Sequence, residues 1–109
     1  MTLSTFQRRT ARAELLRDLH ATGLTPGQVA DDLDFDIDRL ELAMSMAVHA
    51  DGSDVWLVRD YLAQAVRDSG GTPEPHTVLS EQTRLRARQW YRMDTPPRHD
   101  FSARTQRQG

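Results

Sequence analysis

Asp36, Asp38 and Glu41, with Arg39 among them, are the side chains of this 109-residue sequence best suited to bind something charged. They lie in residues 24–46, LTPGQVADDLDFDIDRLELAMSM, on what would be the outward side of a short helix. Carboxylates so grouped could ligate a metal, meet a basic protein surface, or accept from the amino group of cytosine. The metal reading fails on spacing. A calcium loop opening at Asp32 needs glycine where Ile37 stands and a bidentate glutamate where Ala43 stands. A second group, Arg84, Arg88 and Arg92, repeats every four residues beside Trp90 and Tyr91. It could contact phosphates, or pair with acids of the same molecule or of a second one. All fourteen basic residues are arginine, which suits bidentate pairing, although the codon usage of the source genome accounts for it equally well.

The nucleophiles and histidines offer less. His20, His49, His76 and His99 lack zinc-ligand spacing, and neither a glycine-rich phosphate loop nor a GxSxG turn is present. Ser53 stands among Asp51 and Asp54, where a helix cap explains it. With no cysteine there is neither disulfide nor thiolate chemistry. No catalytic, cofactor-binding or metal-binding residue is therefore assigned, and no cofactor is expected.

The elements that would position the acidic residues follow from caps and periodicity. Thr25, Pro26 and Gln28 form a helix start, with a capping hydroxyl, a first-turn proline and a capping-box partner. Val29, Ala30 and Leu33 then share one side. Asp34 tolerates the left-handed conformation, and Asp36 can cap a second helix whose apolar stripe is Ile37, Leu40 and Met44. Small Ala30 facing Leu40 permits two helices to cross closely, so residues 24–46 predict a helix-turn-helix. The alternation of Leu33, Phe35 and Ile37 with aspartates also has the period of a strand. Aspartate is a poor strand former and the helix start at Thr25 is independent of the alternation, so two helices are expected.

Three further helices complete the expected all-α bundle of four to five helices. Ser4 with Gln7 starts the first, Leu15, Leu16 and Leu19 give it apolar turns, and Gly23 ends it. Asp54 or Ser53 should cap a long helix with Val55, Val58, Leu62, Ala65 and Val66 on one stripe, ending at Gly70-Gly71. Residues 72–76, with Pro73 and Pro75, form a linker. Ser80 starts a last helix in which Leu79, Thr83, Ala87, Trp90 and Tyr91 share a face. Residues 1–93 are expected as a single helical domain and 94–109 as a disordered tail.

The segments RAELL (residues 12–16), TGLTPGQVADDLDF (22–35) and DVWLVRDYLAQAV (54–66) carry a resemblance. In them, over the first two thirds of the chain, the sequence resembles a bacterial domain-of-unknown-function family, number 2316, of small proteins with a helix-turn-helix-like core. The resemblance implies bacterial origin and carries over no catalytic residue.

Charge is segregated. Residues 21–60 hold Arg39 and Arg59 against nine acids, giving −7, whereas residues 81–109 hold seven Arg against three acids, giving +4. A recognition helix lies close to phosphates, where each unpaired carboxylate costs about 0.5 to 1 kcal/mol even in a water-like dielectric. DNA binding is thus disfavoured, though it remains the alternative. The expected function is a non-enzymatic binding module that meets a protein partner, or another copy of itself, through Asp36, Asp38, Arg39, Glu41 and Trp56. Here Trp56 and Leu57 stand off the main stripe of the long helix, either as a second apolar surface or as a wider core contact. Against this, the acids could be only a solvated face. The N-terminus lacks a signal-peptide pattern and no segment is long and apolar enough to span a membrane, so a cytoplasmic protein without membrane contact is expected.

Overall fold

The computed structural model describes residues 3–102. Five helices are present and no strand among the described residues: α1 Thr5–Thr22, α2 Pro26–Leu33, α3 Ile37–Met44, α4 Gly52–Asp68 and α5 Glu81–Ala87. The all-α fold class expected from the sequence is the one observed.

Local chemistry sets most of the boundaries. Ser4 and Gln7 close a reciprocal capping box at the start of α1, and Thr25 and Gln28 do the same for α2, with Pro26 in the first turn. Gly23 ends α1 at φ 73°, a conformation that costs glycine nothing. Asp34 ends α2 in the same left-handed region, at φ 58°. The Phe35 N–H then reaches back to the Ala30 carbonyl at 2.9 Å, the six-to-one bond of a Schellman stop, which turns the buried Phe35 ring toward the core. At the next residue the Asp36 carboxylate accepts from the Arg39 N–H at 2.8 Å and starts α3.

The core is one cluster drawn from all five helices. Leu15 of α1, Val29, Ala30 and Leu33 of α2, Leu40 and Ala43 of α3, Val58 and Leu62 of α4 and Ala87 of α5 are all buried in it. α4 is the axis: α1 and α3 both pack along it. Its burial therefore extends round most of its circumference, from Val55 and Trp56 through Tyr61 and Ala63 to Val66.

Several positions depart from the sequence expectation. The cap of α4 is Asp51, whose carboxylate accepts from the Ser53 N–H at 2.8 Å, so neither Ser53 nor Asp54 has that role. Ile37 sits in the first turn of α3 and is 42% exposed, leaving Leu40 and Met44 to the core. α5 is short because the chain swings away after Ala87. Tyr91 folds flat onto Gly52, where a β-carbon would lie 2.4 Å from its ring, and the Arg92 N–H bonds to Ser53 Oγ at 3.1 Å. Trp90 is left 67% exposed rather than on the shared face. Beyond Met93, Arg98 is paired with Asp68 of α4 and His99 with Asp32 of α2. Of the expected tail, residues 103–109 lie outside the described residues.

Candidate functional site

On α3, Asp36, Ile37, Asp38 and Glu41 all face outward and are exposed. Arg39 is also exposed, but it is paired. Its guanidinium grips Asp54 of α4 with two hydrogen bonds, Nε to Oδ2 at 2.9 Å and Nη2 to Oδ1 at 2.8 Å, and its Cζ lies 4.0 Å from the centre of the Phe35 ring. The Asp54 hydrogen bonds hold the Arg39 pKa above its ordinary value. The consequence is electrostatic: α3 presents carboxylates and one isoleucine, while its single cation, about half exposed, is paired with Asp54 of α4.

Trp56, assigned to the same face from the sequence, is 1% exposed and belongs to the core. Arg84 and Arg59 cover its ring, their Cζ atoms 5.0 and 5.8 Å from the ring centre. The apolar face that Trp56 and Leu57 could have offered is thus closed by α5, and Leu57 is half-buried.

The arginine stripe is likewise not a unit. Arg84 Nη1 donates to Asp60 at 2.9 Å and its Nε to Glu81 at 3.0 Å, while Arg59 donates to the Leu79 carbonyl at 3.0 Å and to Asp60 at 2.8 Å. This closed network clamps α5 to α4. Asp60, the first and largest influence, holds the Arg84 pKa well above the ordinary arginine range. Arg88 is the exposed C-cap of α5, and Arg92 lies beyond the helix, paired with Asp94 at 3.1 Å. Within the chain, then, the stripe does not reach the Asp31–Glu41 surface. That role falls to His99, whose Nδ1 is 2.7 Å from Asp32.

Two buried carboxylates on α1 have no counterpart in the sequence expectation. Asp18 Oδ1 accepts from the Glu74 N–H and Oδ2 lies beside His76 Nε2, both at 2.9 Å; Glu14 accepts from the Thr77 N–H at 3.1 Å and from its hydroxyl at 2.9 Å. The proline-bearing linker cannot satisfy its own polar groups by helix formation, and α1 supplies the acceptors. A legible signal existed. Ala11, Glu14, Leu15, Asp18 and Thr22 share one helical phase, so the carboxylates had to be buried with the apolar residues.

These networks resemble parts of acid–base relays without the directionality of one. The Tyr61 hydroxyl donates to Asp32 and the Thr77 hydroxyl to Glu14, so each is tied to a carboxylate rather than to an imidazole that could accept its proton. Burial first, then the Asp32 hydrogen bond and charge, push the Tyr61 pKa far above its ordinary value, opposite to activation. Among the described residues, no group of three or more His, Asp or Glu is arranged to hold a metal ion.

Residues 1–92 match a family described as an uncharacterized protein conserved in bacteria (DUF2316). The chain belongs to that family. The match extends past the first two thirds of the sequence to take in the linker, α5 and its clamp on α4, so the arginine-bearing α5 lies inside the family's bounds. Neither the curated proteins nor the solved structures contain a match to the chain. Among the described residues, no helix is long and apolar enough to cross a membrane.

Proposed function

We propose that this member of DUF2316 is a non-enzymatic binding module, cytoplasmic and regulatory, built on a helix-turn-helix-type pair formed by α2 and α3. Its contact surface is the outward side of α3, and its partner is a protein that presents basic and apolar side chains together. The observation that carries this reading is the bidentate pairing of the exposed Arg39 with Asp54, which offsets the one positive charge on this side of α3. What remains is Asp36, Asp38 and Glu41 around Ile37, a pattern complementary to an amphipathic basic surface.

DNA recognition by α3 is the second reading, supported by Arg8, Arg9 and Arg12 near the C-terminal end of α3. The energetics favour the protein partner. Three carboxylates near phosphates cost about 1.5 to 3 kcal/mol in all at water-like dielectric, comparable to what several exposed arginine contacts return. Replacing Asp36, Asp38 and Glu41 by Asn, Asn and Gln should therefore strengthen binding to a mixed-sequence duplex by about tenfold or more at low salt, measured by fluorescence anisotropy. If the unaltered chain footprints a defined operator and the triple substitution abolishes that footprint, the carboxylates read bases and the DNA reading replaces the first.

A further inference from the structure

Arg8, Arg9 and Arg12 of α1, like Arg67, Arg86 and Arg88, are unpaired among the described residues, but they alone line one groove together. Among the described residues they make no ion pair or side-chain hydrogen bond, whereas Arg39, Arg59, Arg84 and Arg98 are each held by a carboxylate. They line an open groove of about 280 Å³ together with Ser45, Met46 and Val48, which follow α3 in the chain. A second groove, of about 290 Å³, adjoins it and is lined by Arg12, Leu16, Glu41, Met44 and Ser45. Arg12 and Ser45 belong to both, so the two grooves form one continuous furrow between α1 and α3.

The furrow is polarised along its length. As α1 runs from Arg8 to Leu16, the facing segment runs from Val48 back to Glu41, and Asp38 lies one turn further on. Arg8 and Arg9 make one end cationic, Arg12 and Ser45 stand at the middle, and the other end carries Leu16 and Met44 beside the Glu41 carboxylate. Leu16 is 44% exposed and Val48 78%, so apolar area is also available at the rim.

We propose that the partner of this surface is a second copy of the chain, seated antiparallel in the furrow about a two-fold axis through its middle. The Arg8 and Arg9 end of each copy then meets the Asp38 and Glu41 end of the other. A surface with opposite charges at its two ends is self-complementary under such an axis, and each contact is made twice. A nucleic acid strand laid in the same furrow would gain the cationic end and be repelled along the anionic one. This inference rests on the outward side of α3 being a contact surface, and it names the occupant.

Sedimentation velocity of the full chain tests it. The protein should be dimeric at about 0.01 M salt and at least tenfold weaker in association at about 1 M, where the Debye length falls from ~30 to ~3 Å. The double substitutions Arg8→Glu with Arg9→Glu, and Asp38→Arg with Glu41→Arg, should each give a folded monomer by circular dichroism. Mixed one to one, they should recover a heterodimer at least as tight as the wild-type dimer, because both reversed ends then face opposite charge. A wild type that stays monomeric to about 1 mM at low salt overturns the proposal. So does a dimer that survives both reversals, or association that continues past the dimer. A monomer that still binds a basic amphipathic peptide through Asp38 and Glu41 overturns the second copy alone and leaves the protein-interaction reading intact.

Discussion

Leu40→Ala should lower the unfolding free energy by about 2 to 5 kcal/mol, a large part of the 5 to 15 kcal/mol typical of a whole domain. Leu40 is 1% exposed, and it belongs to the cluster that joins Ala30 and Leu33 of α2 to Val58 and Leu62 of α4. Two short helices depend on it: α2 and α3 have only eight residues each, too few to be stable without the packing of their apolar sides. Truncation removes transfer free energy and leaves a cavity that short, capped helices cannot easily collapse into. Urea denaturation followed by circular dichroism gives the value directly. Ile37→Ala, three residues earlier and 42% exposed, is the matched control and should cost less than about 1 kcal/mol. A Leu40→Ala effect below about 0.5 kcal/mol would contradict the packing described here.

Asp18→Ala should be comparably severe, at about 2 to 4 kcal/mol, by a different mechanism. The carboxylate is fully buried and satisfies the Glu74 N–H and His76 Nε2, the latter on a side chain only 7% exposed. Removing it strands two polar groups away from water, in a linker that has no helical bonds with which to replace them. Asp18→Asn keeps an oxygen for the Glu74 N–H and can still meet the imidazole, so its cost should be roughly half. Hydrogen exchange at Glu74 should accelerate in the alanine variant more than exchange in α4. Stability of Asp18→Ala within about 0.5 kcal/mol of the wild type would show that the linker does not depend on α1.

What was legible in the sequence was what short-range chemistry controls. Ser4 with Gln7, Thr25 with Pro26 and Gln28, Asp36 and Ser80 each announce a helix start through a contact no more than three residues away. Asp34 was readable as a left-handed stop for the same reason. The sequence places the start of α4 two or three residues late, at Ser53 or Asp54, because Asp51 is an equally competent cap and local rules do not choose among the three. The choice matters, since capping by Asp51 leaves Asp54 free to hold Arg39. Trp56 could not be assigned from α4 alone: whether its side was covered depended on α5, more than twenty residues later. The Asp18 and Glu14 contacts span 56 and 63 residues, so only their helical phase, not their partners, was available in advance. The furrow between α1 and α3 is a product of tertiary packing, and its arginines gave no signal beyond their charge.

If α3 meets protein through its outward acidic side, an amide-resolved NMR titration of the full chain should show it. Two ligands would be compared at equal low salt: an amphipathic helical peptide with arginines flanking a leucine stripe, and a mixed-sequence DNA duplex. The peptide should shift the amides of residues 36–42 and the duplex should leave them unmoved, with any duplex effect confined to Arg8, Arg9 and Arg12. Duplex-induced shifts centred on Asp36, Asp38 and Glu41, with no response there to the peptide, would contradict that reading.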